Sequence, residues 1–357
     1  MTNSDATTLP NFIEKNNSTE FEIKYFYENE KPIEFSNIPK TTDTEIHWHF
    51  AKYISDIKTH SLQPFYVAKG NNLKLKVLNN DGSCALSNCE GTLFEDVSTN
   101  YKFDDFEFTE TRYIDGVSAL LSVDSGSNYF HWMCHVLPKI HLLNETEKNW
   151  DYLNKVVIQQ NTSFFVEETL NILKVPCDKV LRSKKSDHYI FEKLIVPCRP
   201  NRHVHLSRWS LQFLKNTFLK NIQKKTRKLF VSRKKSIGRG IENKDELLNF
   251  LKPLGFEEVF MEEYSVQEQA KIFNGATDVI SAHGAALTNL LFCDAGTRVI
   301  EIFSPNYVHP LYWNFCNILD LNYSYLIGDG ERPPKNTDPH IKDESIKVDI
   351  NNLKRLI

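Results

Sequence analysis

The chain has 357 residues, which at roughly 100–200 residues per domain points to two or three domains. Hydrophobic residues make up 41% and charged residues 25%, with only 13 Gly and 14 Pro; this excludes collagen-like, low-complexity and globally disordered classes. Lys+Arg 43 against Asp+Glu 46 leaves a formal charge of −3, so no global field draws the chain onto nucleic acid or an anionic membrane, and any electrostatic specialisation is local.

No stretch reaches the ~18 consecutive apolar residues of a spanning helix. Met1 to Asn17 has neither a basic n-region nor an apolar h-region, so it does not read as a secretory signal, and residues 1–20 are expected to be a disordered arm. The seven cysteines (84, 89, 134, 177, 198, 293, 316) form no Cys-x-x-Cys pair and mostly sit in apolar runs. That pattern suits reduced thiols in a cytosolic compartment rather than a disulfide framework.

In chain order, Phe65 to Ala68 and Leu73 to Leu78 are short strand-like pieces before the turn signal Asn79-Asn-Asp-Gly82. Ile114 to Val123 reads as a strand, followed by a loop with Gly126 and an apolar helix from about Tyr129 to Leu143, which Pro138 should end or kink. Strands at Val156 to Gln159 and Tyr189 to Val196 flank a helix at Phe164 to Leu173. After a helix at about Ser207 to Gln223 comes a second alternating set. Its strands are Lys228 to Ser232, Glu257 to Phe260, Asp278 to Ala282 and Arg298 to Phe303. Its helices are Asn243 to Lys252, Ser265 to Asn274 and Ala285 to Phe292, with Gly255 and Gly275 as C-cap glycines. Alternating strands and helices imply βαβ units and parallel sheet, here two Rossmann-like α/β domains facing each other across a cleft.

Three segments carry candidate chemistry. In Asp278 to Asn289 a strand runs into a turn of small residues and then a helix, with His283 at the strand's carboxyl end. Gly284 and Ala285 let a ligand approach the backbone, where a helix start favours phosphate. The plainer alternative is a satisfied turn histidine among packing residues. Lys215 to Arg239 holds ten Lys or Arg and no Asp or Glu. Its lysines read as a solvated face, whereas Arg233 and Arg239 fall where a diphosphate could be clamped. Little aromatic interleaving accompanies these charges, which argues against nucleic acid. In Asn128 to Pro138, His131 and His135 are i and i+4 and share a helix face. They could supply a general base, bind zinc (no His-Glu-x-x-His signature or third ligand is evident), or be structural.

Together the three segments resemble the family 61 glycosyltransferases. Asn128-Tyr-Phe-His-Trp-Met-Cys-His-Val-Leu-Pro138 is similar to the family's Asn-Tyr-x-His-Trp motif ending in Leu-Pro. Phe230-Val-Ser-Arg233 with Arg239 and Asn243 is similar to its Ser-Arg…Arg…Asn motif. His283-Gly-Ala-Ala-Leu-Thr-Asn289 through Val299-Ile-Glu-Ile-Phe303 resembles its His-Gly-Ala-Gly-Leu-Thr-Asn…Val-Glu-Ile-Phe block. The likeness covers about residues 112–305. Ala286 replaces the usual second glycine, and His135 stands where many members carry Asp or Glu.

The resemblance implies a GT-B-type, inverting, generally metal-independent transferase with no cofactor. It would move a sugar from a nucleotide-diphosphate donor to a glycan hydroxyl, as in surface or capsular polysaccharide assembly. His135 or His131 would be the base, Arg233, Arg239, Asn243, His283, Gly284 and Ala285 would bind the donor, and Thr288, Asn289 and Glu301 are weaker donor-site candidates. The expected division is an acceptor-side domain at 21–205, a nucleotide-sugar domain at 206–328 and a tail at 329–357. The expected location is the cytoplasm, with peripheral association at the inner membrane face. The alternative is a non-catalytic nucleotide- or glycan-binding protein of the same fold.

Overall fold

The computed structural model describes residues 6–16, 20–27, 39–59, 64–99, 109–147, 149–200, 206–234, 239–334, 337 and 344–357. The chain is α/β and divides into two compact units, Met1–Glu30 with Gln63–Arg202, and Lys31–Leu62 with His203–Ile357. Each is built on its own sheet, one mixed and one all-parallel, the two-domain pattern of the GT-B fold.

The first unit's sheet turns on one long strand, Phe65–Val77, where the sequence shows two short pieces. Its alternation of buried and half-buried side chains carries antiparallel partners on both sides, Phe21–Phe26 and Cys84–Ser87 on one and His188–Pro197 on the other. Beyond His188–Pro197 the sheet becomes parallel through Arg112–Leu120, Lys155–Gln159 and Val180–Ser183. The strands Arg112–Leu120 and His188–Pro197 end side by side, with Ala119 opposite Ile195. Whatever follows either strand is thus delivered to the same edge. The turn Asn79 to Gly82 forms as expected. Gly82 has φ +109°, and a Cβ there would lie 2.1 Å from the Val123 carbonyl oxygen, so only glycine lets this turn press against the loop leading to Tyr129.

The second unit has the strand order Phe256–Phe260, Arg227–Ser232, Ala276–Ala282, Arg298–Phe303, Asn322–Ile327, all parallel. Numbered along the chain, this is 2-1-3-4-5, a doubly wound order whose direction switches between the first and third strands. Near-continuous burial of Ala276–Ala282 and Arg298–Phe303 is what a sheet covered on both faces requires.

Several boundaries differ from the sequence expectation. Residues 9–16, expected in a disordered arm, form a helix that buries Leu9 and Ile13. Residues 39–59, expected in the first domain, belong to the second unit. Lys40–Thr41 extends its parallel sheet beside Asn322–Ile327, and buried Phe50 stacks on Tyr325 at 4.6 Å between ring centroids. Asp43 is gripped there by the Arg332 guanidinium at 2.6 and 2.9 Å. The expected tail is core at its far end, since Ile346, Val348, Leu353 and Leu356 pack with Phe230, Leu247 and Ile280. Gly255 caps its helix in the left-handed region (φ +85°), but Gly275 sits at φ −77° and has no conformational need to be glycine. All seven cysteines are free thiols, five of them buried.

Candidate active site

The helix after Arg112–Leu120 shows how the segment Asn128 to Pro138 works. Asn128 caps it by accepting from the Phe130 N–H at 2.9 Å. Trp132, fully buried, donates its indole N–H to Thr169 Oγ1 at 2.8 Å and ties the helix to its neighbour at Phe164–Ile172. Pro138 neither ends nor breaks the helix, which runs on to Thr146. Because proline has no N–H for the carbonyl four residues earlier, the turn before it widens, and Trp132–Val136 is a π-helical stretch. His135 lies within that stretch and His131 immediately before it.

The two imidazoles meet, Nδ1 to Nδ1, at 3.0 Å. His135 is buried and His131 only half-buried. Arg199, delivered by the neighbouring strand His188–Pro197, donates Nε–H and Nη2–H to His135 Nδ1 at 3.1 and 2.6 Å, and its Nη2 lies 3.3 Å from His131 Nδ1. Burial and then the Arg199 charge push His131 down to about 4, although Asp124 and Asp81 pull the other way. Burial, Arg199 and His131 hold His135 well below the usual histidine range. Lys139, one turn further, is buried, donates to the Ser122 carbonyl at 3.4 Å, and is pushed down to about 8 chiefly by burial. A metal bridging the rings at Nδ1 would have to displace the guanidinium. Among the described residues, no group of three His, Cys, Asp or Glu could hold a metal ion.

In the second unit, Arg233 follows the first strand and His283 the third, so both stand at the switch in strand order, where doubly wound sheets bind ligands. The Arg233 guanidinium donates to the His283 carbonyl at 2.6 Å, and Arg239 donates to the same oxygen at 3.1 Å. Arg239 also lies over the Tyr307 ring at 4.7 Å. A Cβ at Gly284 would lie 1.7 Å from Arg233 Nη2, so any other residue there would push the guanidinium aside. The Gly284 backbone is extended (φ 167°), and it precedes a 3-10 helix, Ala285–Phe292, rather than an α-helix.

Glu301, expected as a weak donor ligand, is fully buried beneath this turn with both carboxylate oxygens committed, to His283 Nδ1 and to the Tyr323 hydroxyl, each at 2.5 Å. Burial raises it to about 8 despite the opposing Tyr323 bond and Arg239 charge. Its work is to orient the His283 ring. Thr288 and Asn289 are likewise fully buried. Asn289 donates to Gln269 Oε1 at 2.7 Å and to the Ala286 carbonyl, and Thr288 packs against Tyr312. They brace the turn from inside and are not placed to touch a donor. Ala285 is half-exposed at its start.

Asn243 also departs from the expected donor role. Its side chain makes a two-way pairing with the Val348 backbone, at 2.9 Å in each direction, and donates to Glu246. It fastens the C-terminal segment onto the core. Asn243→Ala is therefore expected to cost about 1–3 kcal/mol in denaturant unfolding, by leaving the buried Val348 backbone groups unpaired, with nucleotide affinity unchanged. An affinity loss without a stability loss would return Asn243 to the binding residues.

Sequence reasoning missed Arg199, Lys139 and Tyr323. Arg199 carried a signal, since it stands just past a strand that ends in Pro197, the position that singled out Arg233. Tyr323 carried none, because its partner Glu301 is twenty-two residues away on a neighbouring strand.

In the parallel sheet, paired arginines stand at the switch point beside a histidine held by a buried acidic side chain, in an α/β protein with the two-sheet pattern of the GT-B fold. Residues 129–300, just under half of the chain and spanning both sites, match the family model described as Glycosyltransferase 61. The match identifies a glycosyltransferase, which implies a sugar donor and an acceptor. No curated protein matches it. Among the described residues no helix is long and apolar enough to cross a membrane.

Proposed function

We propose that this enzyme transfers a sugar, with inversion, from a nucleotide-diphosphate donor to a glycan hydroxyl in surface or capsular polysaccharide assembly. The observation that carries the reading is the convergence of Arg233 and Arg239 on the single His283 carbonyl. The shared carbonyl holds two guanidinium groups together at the switch in strand order, where a diphosphate bound alongside would meet both through charge-assisted hydrogen bonds. In this reading His131 is the base, being the accessible member of the pair, and His135 orients it.

The displacement is a single step. The acceptor hydroxyl gives its proton to His131 while its oxygen bonds to the anomeric carbon. The bond from that carbon to the diphosphate oxygen breaks, and the nucleoside diphosphate leaves with the electron pair. Arg233 and Arg239 stabilise the charge that develops on it. Two fixed guanidinium groups supply the electrostatic work at the leaving group, so the mechanism calls for no metal.

A hydrolysis screen across nucleotide sugars, run with and without EDTA, tests both parts. One donor is expected to be hydrolysed slowly without an acceptor, at the same rate after chelation. Turnover abolished by EDTA and restored by Mg²⁺ or Mn²⁺ would overturn the metal-independent mechanism. Absence of binding and hydrolysis across the panel would overturn the donor class.

A further inference from the structure

Arg199 lies outside the three segments that carry the family resemblance, yet it makes the closest polar contacts of the histidine pair. A guanidinium has only N–H donors and no acceptor, and it stays charged throughout the working pH range. His135 Nδ1, approached by Nε–H at 3.1 Å and Nη2–H at 2.6 Å, can therefore only accept. A neutral imidazole has one N–H, so that of His135 is on Nε2. The same Nη2 lies 3.3 Å from His131 Nδ1, and the rings are locked edge to face, with centroids 4.9 Å apart.

We propose that Arg199 is the positioning residue of this pair: forked onto Nδ1 of His135 and reaching Nδ1 of His131, it pins the His135 tautomer and opposes a second proton on either ring. The proposal rests on the reading of His131 as the base and concerns how that base is kept ready. A general base must arrive unprotonated, and an ordinary histidine loses half of that readiness near pH 6.5. A fixed positive charge against both rings preserves it in mildly acidic solution. The charged groups around the pair do not all agree. Asp81 and Asp124, which share the Ser83 hydroxyl at 2.9 and 2.7 Å, favour a proton on His131. For His135 the named influences are burial, Arg199 and His131, and all three oppose protonation. Lys139 on the following turn is itself disfavoured as a cation by burial and by Arg199.

The protonation states can be read without substrate, by ¹⁵N NMR of the full chain labelled at histidine, with resonances assigned by single substitutions. In the native protein, both rings are expected to titrate below the ordinary histidine range, His131 near 4, and His135 Nδ1 should show the shift of an unprotonated nitrogen. In Arg199→Met, both titrations should move up by more than one pH unit. Arg199→Lys, which restores the charge without the fork, should keep them low. A native His135 protonated on Nδ1, either native ring titrating near 6.5, or unchanged titrations in a folded Arg199→Met would each overturn the proposal. The first two are read on the native chain, so a variant that fails to fold does not protect the idea. If His131→Ala kept full turnover while the titrations behaved as expected, the base assignment would fall and the positioning role of Arg199 would stand.

Discussion

His131→Ala is expected to lower kcat by roughly 10²–10⁴-fold, the usual contribution of a positioned base, with donor affinity nearly unchanged. His131 is the half-buried ring in the first turn of its helix, while His135 is buried against it and held by Arg199. The pH–rate profile should carry the sign of that environment. The base works unprotonated, and burial with Arg199 puts His131 at about 4. Activity should therefore fall as pH drops through about 4, with no break at 6.5. At the neighbouring position, His135→Asp should retain more activity than His135→Ala, because a carboxylate accepts the Arg199 fork in the same place. Near-native turnover in both alanine variants would move the base off this helix, and an acid limb at 6.5 would contradict the electrostatics of the pair.

Arg233→Ala should weaken binding of a nucleoside diphosphate by about 1.5–3 kcal/mol, the scale of a charge-assisted hydrogen bond, read by calorimetry on the folded variant. Gly284→Ala should do nearly as much with Arg233 still present, because the added methyl occupies the space of the guanidinium. The backbone there is extended and tolerates alanine, so the loss would come from displacement of Arg233 rather than from strain. The pair of variants separates a steric role for the glycine from general damage. Full affinity in both would remove the switch-point arginines from the donor site.

How far the sequence could be read depended on how local each cause was. Asn128, His131 and Trp132 act within one helical turn or one contact of it, and their motif is legible in isolation. So are the strand ends that place Arg233 and His283, because a small-residue turn after an apolar strand is a short-range pattern. Asn243, Thr288, Asn289 and Glu301 sit in equally recognisable motifs but serve the fold, and motif membership does not distinguish touching a ligand from bracing the residue that does. That distinction needs burial and partners: Glu301 is committed to His283 and Tyr323, and Asn243 to Val348.

By itself, the sequence determined the α/β class, most of the strands, and the three segments in which charge and small residues gather at strand ends, because hydrophobic periodicity and turn chemistry are written over a few residues. Tertiary structure alone decided that residues 39–59 complete the second sheet and that the final helix closes its core. It alone decided the strand order that puts Arg233 beside His283. It also brought Arg199, sixty-four residues downstream of His135, onto the histidine pair. These depend on which strands become neighbours, and that is settled by packing whole faces against each other rather than by any local run of residues.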